Sequence, residues 1–204
     1  MGELKLWLKK MAGVYQLLVE IEGIEPGIWR RFKVNDSYNV KDLGSVINYM
    51  FDWYGIHLSE FRINNEAYGL KLSDNGIPTD IKKFDDIKLR DLNLASGTKF
   101  TYIYDMRDRW EHTITVENHE KGSGLLYPIC IGGNRNAPPE NCGGLTGYGL
   151  LLEVLKDDKH PERNRFMDIL EDDWDPEEFD TDLLNTLIRD PNLGIVIDPN
   201  YEDN

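Results

Sequence analysis

The stretch Phe100-Thr-Tyr-Ile-Tyr-Asp-Met-Arg-Asp-Arg-Trp-Glu-His-Thr-Ile114 gathers Asp105, Asp108, Glu111 and His112 close together. Carboxylates suit hard cations, imidazole suits zinc or iron, and both can carry protons. These are the donors of a metal-assisted hydrolase or a nuclease-like enzyme. Downstream, Cys130 and Cys142 flank a glycine-rich loop that closes with Pro138-Pro-Glu-Asn-Cys-Gly-Gly144. There is no CxxC pair, so a metal at Cys130 and Cys142 would need two further ligands, of which His112 is one candidate. Buried free thiols are the simpler expectation. Trp29-Arg30-Arg31 is a compact basic element beside an aromatic. A guanidinium fork there could recognise an anion, whereas a buried Arg30 would need an acid partner, with Asp105 and Glu140 as candidates.

Strand register decides whether the carboxylates and the histidine can meet. A two-residue turn would oppose Asp105 to Asp108 and set the Phe100, Tyr102, Tyr104 face against ions, which is unfavourable. A three-residue loop at 106–108 instead pairs Tyr104 with Trp110, Tyr102 with His112 and Phe100 with Ile114. This register makes one apolar face and leaves an Asp105–Arg109 pair, with Glu111 diagonal to Asp105, on the other. His112 and Glu111 then lie on opposite faces, and the plain expectation is an exposed ion-pair cluster beside a hydrogen-bonded core histidine.

The elements that must hold these residues follow from periodicity. Tyr15, Leu17, Val19 and Ile21 alternate with polar residues, and Gly23-Ile-Glu-Pro-Gly27 turns the chain into Ile28–Val34, a β-hairpin. Asn39 with Asp42 reads as an N-cap, Leu43, Ile47, Met50, Phe51 and Tyr54 recur at helical spacing, and Gly55 is the expected stop. Leu58–Ile63 reads as a strand, 64–86 as polar turns marked by Asp74-Asn-Gly76 and Pro78, and 87–94 as a short link. The 130–148 loop is expected to lack regular structure, and its glycines to permit positive φ and close approach of a ligand. After Gly144 the pattern is helical, with a last helix capped by Asp175 that buries Phe179, Leu183, Leu184 and Leu187. Ile195-Val-Ile197 could add an edge strand. The fold class is therefore α+β: a mixed or antiparallel sheet with a β-β-α-β start packed by one main helix, plus a helical C-terminal extension. The expected domains are a core over 13–148 and an acidic helical extension over 149–204 packed on it.

Of the net charge of −14, residues 157–204 hold 16 acidic and 4 basic side chains, leaving the rest near neutral. Such a surface disfavours sequence-independent nucleic-acid binding, with Trp29-Arg30-Arg31 as the one local exception. The first ten residues carry charges among the apolar ones and lack a signal-peptide core, and no apolar run is long enough to span a bilayer. Two cysteines point to a reducing cytoplasm and no membrane.

Trp29-Arg30-Arg31, the Met50-Phe-Asp-Trp53 helix end with His57-Leu58 and Phe61, the Tyr102-to-His112 hairpin and the Pro138-to-Tyr148 loop are together similar to the third-open-reading-frame-like proteins first named from a root-inducing plasmid. The resemblance spans 13–188. It implies an α+β fold and occurrence on plasmids and chromosomes of bacteria and archaea, with some relatives labelled transposon-passenger or resolvase-like, but no established activity. Three positions depart from the family pattern: Arg107 stands for a usual Gly, Asn141 for a usual Asp and Gly44 for a usual His.

These readings converge on a cytoplasmic binding or interaction domain. Its expected surface is Arg30, Arg31, Asp105, Asp108, Glu111, Glu140 and Asn141, facing a protein or a small anionic ligand, with no cofactor. The alternatives are the metal-assisted hydrolase at Asp105, Asp108, Glu111 and His112, and a nucleic-acid-associated passenger protein of a mobile element.

Overall fold

The structure, a computed structural model, describes residues 12–69, 82–84, 87–123, 125, 127–170 and 174–189. Its strands are β1 (Gly13–Ile21), β2 (Trp29–Asn35), β3 (Ser59–Ile63), β4 (Glu66–Gly69), β5 (Lys82–Lys83), β6 (Lys99–Tyr104), β7 (Trp110–Lys121) and β8 (Ile129–Asn134). They form one sheet in the order β5-β4-β3-β6-β7-β1-β2-β8. Every neighbouring pair is antiparallel except β4 with the short β5. The α-helices among the described residues are α1 (Val40–Met50), α2 (Gly144–Val154), α3 (Arg163–Met167) and α4 (Thr181–Ile188). The α+β class and the β-β-α-β start hold.

Alternation builds the core. Tyr15, Leu17, Val19 and Ile21 of β1 turn inward, as do Phe32 and Val34 of β2, Phe61 of β3, and Phe100, Tyr102 and Tyr104 of β6. Helix α1 lies on this face and buries Leu43, Val46, Ile47 and Met50 at helical spacing. Its start is a full capping box: Asn39 Oδ1 accepts from Asp42 N at 2.8 Å, and Asp42 Oδ2 accepts from Asn39 N at 2.9 Å. The β6–β7 hairpin has the expected register, with Tyr104 opposite Trp110, Tyr102 opposite His112 and Phe100 opposite Ile114. Leu151, Val154, Phe166 and Ile188 of the three later helices join the same buried cluster. The division expected between 148 and 149 falls inside α2.

Four expectations are corrected. The stretch expected to hold only polar turns contains β4 and β5, because Asn64 and Asn65 both take positive φ, 51° and 64°, and close a tight hairpin from β3. Asp74-Asn-Gly76, Pro78 and Ile195-Val-Ile197 lie outside the described residues. The 130–148 segment is regular at both ends, since β8 covers its start and α2 begins at Gly144, which leaves only 135–143 without helix or strand. The last helix starts at Thr181 with Asp180 as its N-cap, since Asp175 caps a separate turn through Glu177 N. That shift leaves Leu183 and Leu187 at 56% and 40% exposure and buries Ile188 instead.

Helix α4 also closes the sheet edge. Asn185 accepts from Cys130 N at 2.9 Å and donates to Cys130 O at 2.8 Å, replacing the ladder bonds of a further strand.

Trp53 stands at the centre of the aromatic core, stacked on Tyr104 at 5.1 Å and near Phe51, Trp110 and His112. Trp53→Ala is expected to lower unfolding stability by about 3–5 kcal/mol in a denaturant titration. A loss under about 1 kcal/mol would show that the cluster does not carry the core.

Candidate functional site

The site is built where α1 ends. Asp52 takes φ +56°, Asp52 N donates to Tyr49 O at 3.0 Å, and Trp53 N donates to Asn48 O at 2.8 Å. This pair of bonds is a Schellman motif, in which glycine usually occupies the left-handed position that Asp52 holds here. The helix therefore stops at Met50, earlier than Gly55, and the turn throws Trp53 inward. The Trp53 indole N–H then donates to Pro138 O at 2.8 Å, which ties the 136–141 loop to the helix end.

Arg30, 2% exposed, braces the same point. Its Nε donates to Met50 O at 2.8 Å, and its Nη1 donates to Trp29 O and Asn134 O at 2.9 and 3.1 Å. The rings of Phe51 and Phe179 cover its faces at 5.0 and 4.1 Å. Burial lowers its pKa to about 10, opposed by the Cys130 thiol and the Asp52 carboxylate, so it stays charged at neutral pH. The expected acid partner, Asp105 or Glu140, is replaced by helix-end carbonyls and π faces, which supply negative potential without a second buried charge. Gly133 makes this cover fit, because a Cβ there would lie 2.4 Å from the Phe179 ring. Gly133 thus admits an aromatic ring, while a Cβ at Gly132 would make only ordinary contact with Trp29. Arg31 points to the other face, where Glu117 holds it at 2.8 Å. Arg30 is thus sealed from solvent, and Arg31, its side chain 34% exposed, is already paired with an acid.

The hairpin tip is a structural device. Asp105 and Arg109 both take φ +54°, and Arg109 N donates to Asp105 O across the loop. Asp105 Oδ1 accepts from Arg107 N at 2.9 Å, while its Oδ2 lies 3.7 Å from His57 Nδ1. The positive φ values fall at 105 and 109, so Arg107 stands without strain where the family pattern has glycine. Asp108 Oδ2 accepts from Gly143 N at 3.0 Å, a cap supplied across space to the start of α2. Gly144 permits that approach: it has φ +66°, and a Cβ there would meet Asp108 O at 2.4 Å. Glu111 pairs with Arg109 on the outer face at 3.4 Å. His112 is fully buried, with Nδ1 3.3 Å from Tyr102 O. The four candidates therefore point to four different places, and no group of three or more metal-ligating side chains converges among the described residues.

Cys130 and Cys142 are buried free thiols. Burial, and then the charge of Asp108, push the Cys142 thiol up to about 12. A protonated thiol at that depth is a poor nucleophile.

Glu140 is held from behind: Tyr104 Oη donates to its Oε1, and burial together with that carboxylate raises the Tyr104 pKa. Glu140 Oε2 is closed off from solvent with no hydrogen-bond partner. Beside it opens a cleft of about 210 Å3 lined by Phe51, Asp52, Tyr54, 136–141, Ile169 and Trp174. Glu140 and Asn141, two of the residues expected at a recognition surface, line this cleft. Asp52, Tyr54, Ile169 and Trp174 were not expected there, since the signal for Asp52 lies in how α1 stops and the others come from two distant segments. A wider hollow of about 380 Å3 at the β1–β2 turn is lined by Glu20, Glu22, Glu25, Lys99, Thr101 and Thr113 among others. Its polar groups lie on exposed turn and strand surface, so the smaller cleft is the better-built site.

Comparison with known proteins fits this picture. The family model described as "Plasmid pRiA4b ORF-3-like protein" matches residues 13–183. The uncharacterized protein y4hQ of Sinorhizobium fredii is 32% identical over 152 residues, which span 74% of this chain and 77% of that protein. A crystal structure of a protein of unknown function, MM3350 from Methanosarcina mazei Go1, is 35% identical with a TM-score of 0.75, covering 85% of this chain and 98% of that one. These relatives are of unknown function, and they indicate no catalytic activity.

Burial lowers the His112 pKa to about 4 from 6.5. The unfolded chain takes up this proton near pH 6.5 and the folded chain only near 4, so stability falls as pH drops through that window and levels off below it. Between pH 6.5 and 5 the loss from this group is about 2 kcal/mol, and His112→Leu should flatten that slope in denaturant titrations. An unchanged slope would reject the assignment. Both thiols should react with a disulfide reagent at pH 8 at least about tenfold more slowly than in guanidinium. One fast thiol in the native protein would contradict the burial of that cysteine.

Proposed function

This chain belongs to the plasmid pRiA4b ORF-3-like family, and on that premise we propose that it is a binding or interaction module whose recognition surface is the cleft between the end of α1 and the 136–141 loop. The observation that carries the proposal is a concave surface whose loop is hydrogen-bonded to the core and beside which large side chains stand exposed. Trp53, Tyr104 and Asp108 fasten the loop to the core through Pro138, Glu140 and Gly143. Tyr54, at 81% exposure, and Ile56, at 71%, stand unburied at the helix exit. Large side chains left exposed beside a preformed hollow are what a recognition surface requires.

This reading narrows the expected surface. Glu140 and Asn141 stay in it, Asp108 holds the end of its loop through Gly143, and Asp105, Arg30, Arg31 and Glu111 drop out of it. No helix of the described residues is long and apolar enough to cross a membrane. The two buried free thiols suit a reducing compartment, and the cytoplasm is the proposed location.

Small-probe mapping by amide NMR tests the proposal. Phenol and acetamide at millimolar concentration should shift the signals of residues 136–141, Asp52 and Trp174, and Tyr54→Ala with Trp174→Ala should remove most of the effect. Shifts centred on Trp29 and Arg31 or on the β1–β2 turn would overturn it.

A further inference from the structure

We infer that the end of the sheet beside the cleft is an interface with a second copy of this chain, in a two-fold arrangement that buries Tyr54, Ile56, Leu58 and Met106 of both copies. The surface adjoins the cleft at Tyr54 but does not depend on the cleft being occupied. Ten large apolar side chains are exposed among the described residues, and five of them, these four and Leu145, gather here. Singly scattered apolar residues are ordinary on a surface, whereas a contiguous group marks a contact.

The fold makes the group contiguous. The turn at the end of α1 throws Trp53 inward, so Tyr54 and Ile56 run along the outside before β3 begins. Asp105 N donates to Leu58 O at 3.0 Å, which lays the β6–β7 loop against this segment and brings Met106 beside it. Gly144 packs against Asp108 O, and a Cβ at Gly23 would lie 2.9 Å from Leu145 Cδ1, so Leu145 stands between that loop and the β1–β2 turn. The row thus crosses the ends of β3, β6, β7 and β1, neighbours in the sheet, over about 15 Å. With about 200 Å2 for each fully exposed large side chain, these five and Arg107 offer on the order of 700 Å2 per copy, near the roughly 800 Å2 per partner of a standard interface.

Charge selects a second copy as the occupant. Asp52 stands before the apolar row and Arg107 after it, both exposed. Asp52 makes no ion pair with a described residue, and the Arg107 guanidinium has only Asp108 at 3.7 Å, whose carboxylate already caps Gly143 N. A two-fold axis through the row lays the Asp52 end of one copy over the Arg107 end of the other, so both charges are met, and met twice. A partner of one dominant sign would leave one end of the row opposed. The chain carries a net charge of −14, so copies repel at long range, and contact costs least on a face where both signs stand. Tyrosine, methionine and arginine are also the side chains that interfaces favour.

The test is sedimentation equilibrium of the full chain from about 1 to 300 µM, where a monomer–dimer equilibrium in the micromolar range is expected. Ile56→Glu with Met106→Glu, both at exposed positions, should weaken the dimer at least about tenfold and leave the urea midpoint unchanged. Ile131→Glu and Leu183→Glu add the same charge at exposed apolar positions away from the row and should leave the dimer as it is. Arg107→Glu should weaken it about tenfold, and adding Asp52→Asn should recover part of that loss by removing the new repulsion across the axis. A purely local role for Arg107 would give no such recovery. A monomer at every concentration would overturn the inference. So would a dimer broken by Ile131→Glu or Leu183→Glu and not by the variants of the row, or growth into larger assemblies, which a closed two-fold contact forbids. Phenol and acetamide shifts at 136–141, measured on the Ile56→Glu, Met106→Glu variant, report on the cleft separately, so either reading can fail without the other.

Discussion

The buried guanidinium of Arg30 is the constraint on which the arrangement depends. A charge shut away from water is costly unless its donors are met, and here Nε and Nη1 are met by backbone carbonyls from the end of α1, from β2 and from the end of β8. Those three elements cannot move apart without exposing an unpaired cation in an apolar core. The last carbonyls of a helix carry its negative dipole end, so Met50 O is a partner that the fold supplies without a second buried charge. Phe179 closes the other side, which draws the segment before α4 onto the sheet.

From that anchor the remaining contacts follow in order. The helix end is fixed, so the turn at Asp52 delivers Trp53 into the aromatic cluster. Trp53 then holds Pro138, Tyr104 holds Glu140, and Asp108 holds Gly143. Each bond joins one family motif to another, and each crosses a long stretch of sequence. The sequence motifs are thus parts of one scaffold, with the polar residues of the hairpin acting as turn and cap groups. This accounts for why a constellation resembling a metal site shows no common focus: its carboxylates already serve backbone N–H groups or an arginine.

Legibility followed the range of the interactions. The capping box at Asn39 and Asp42, the alternation of β1 and β2, and the β6–β7 register are local or pairwise, and patterning was enough to read them. The start of the last helix was misread because Asp175 and Asp180 both look like caps, and only packing against β8 chooses between them. The partner of Arg30 was misread because sequence reasoning searches for opposite charge, whereas carbonyls and rings leave no compositional mark. The Asn64-Asn65 turn carried a short-range signal that was passed over. The cleft was half legible: its loop side announced itself by glycine and proline, while Asp52, Ile169 and Trp174 arrive from elements whose meeting depends on the whole fold.

Local preferences and the global structure agree through most of this chain, and the disagreements are informative. Asp52 sits in a backbone region that favours glycine, and Glu140 keeps one carboxylate oxygen buried and unpaired. Asp36, Ser37 and Tyr148 also carry unpaired buried oxygens, but none of these residues lines the cleft. A fold selected for stability alone would relieve both acids at once, Asp52 by glycine and Glu140 by an uncharged residue that keeps the Tyr104 contact. Both of these departures lie in the lining of one small hollow, where the 136–141 loop meets the end of α1.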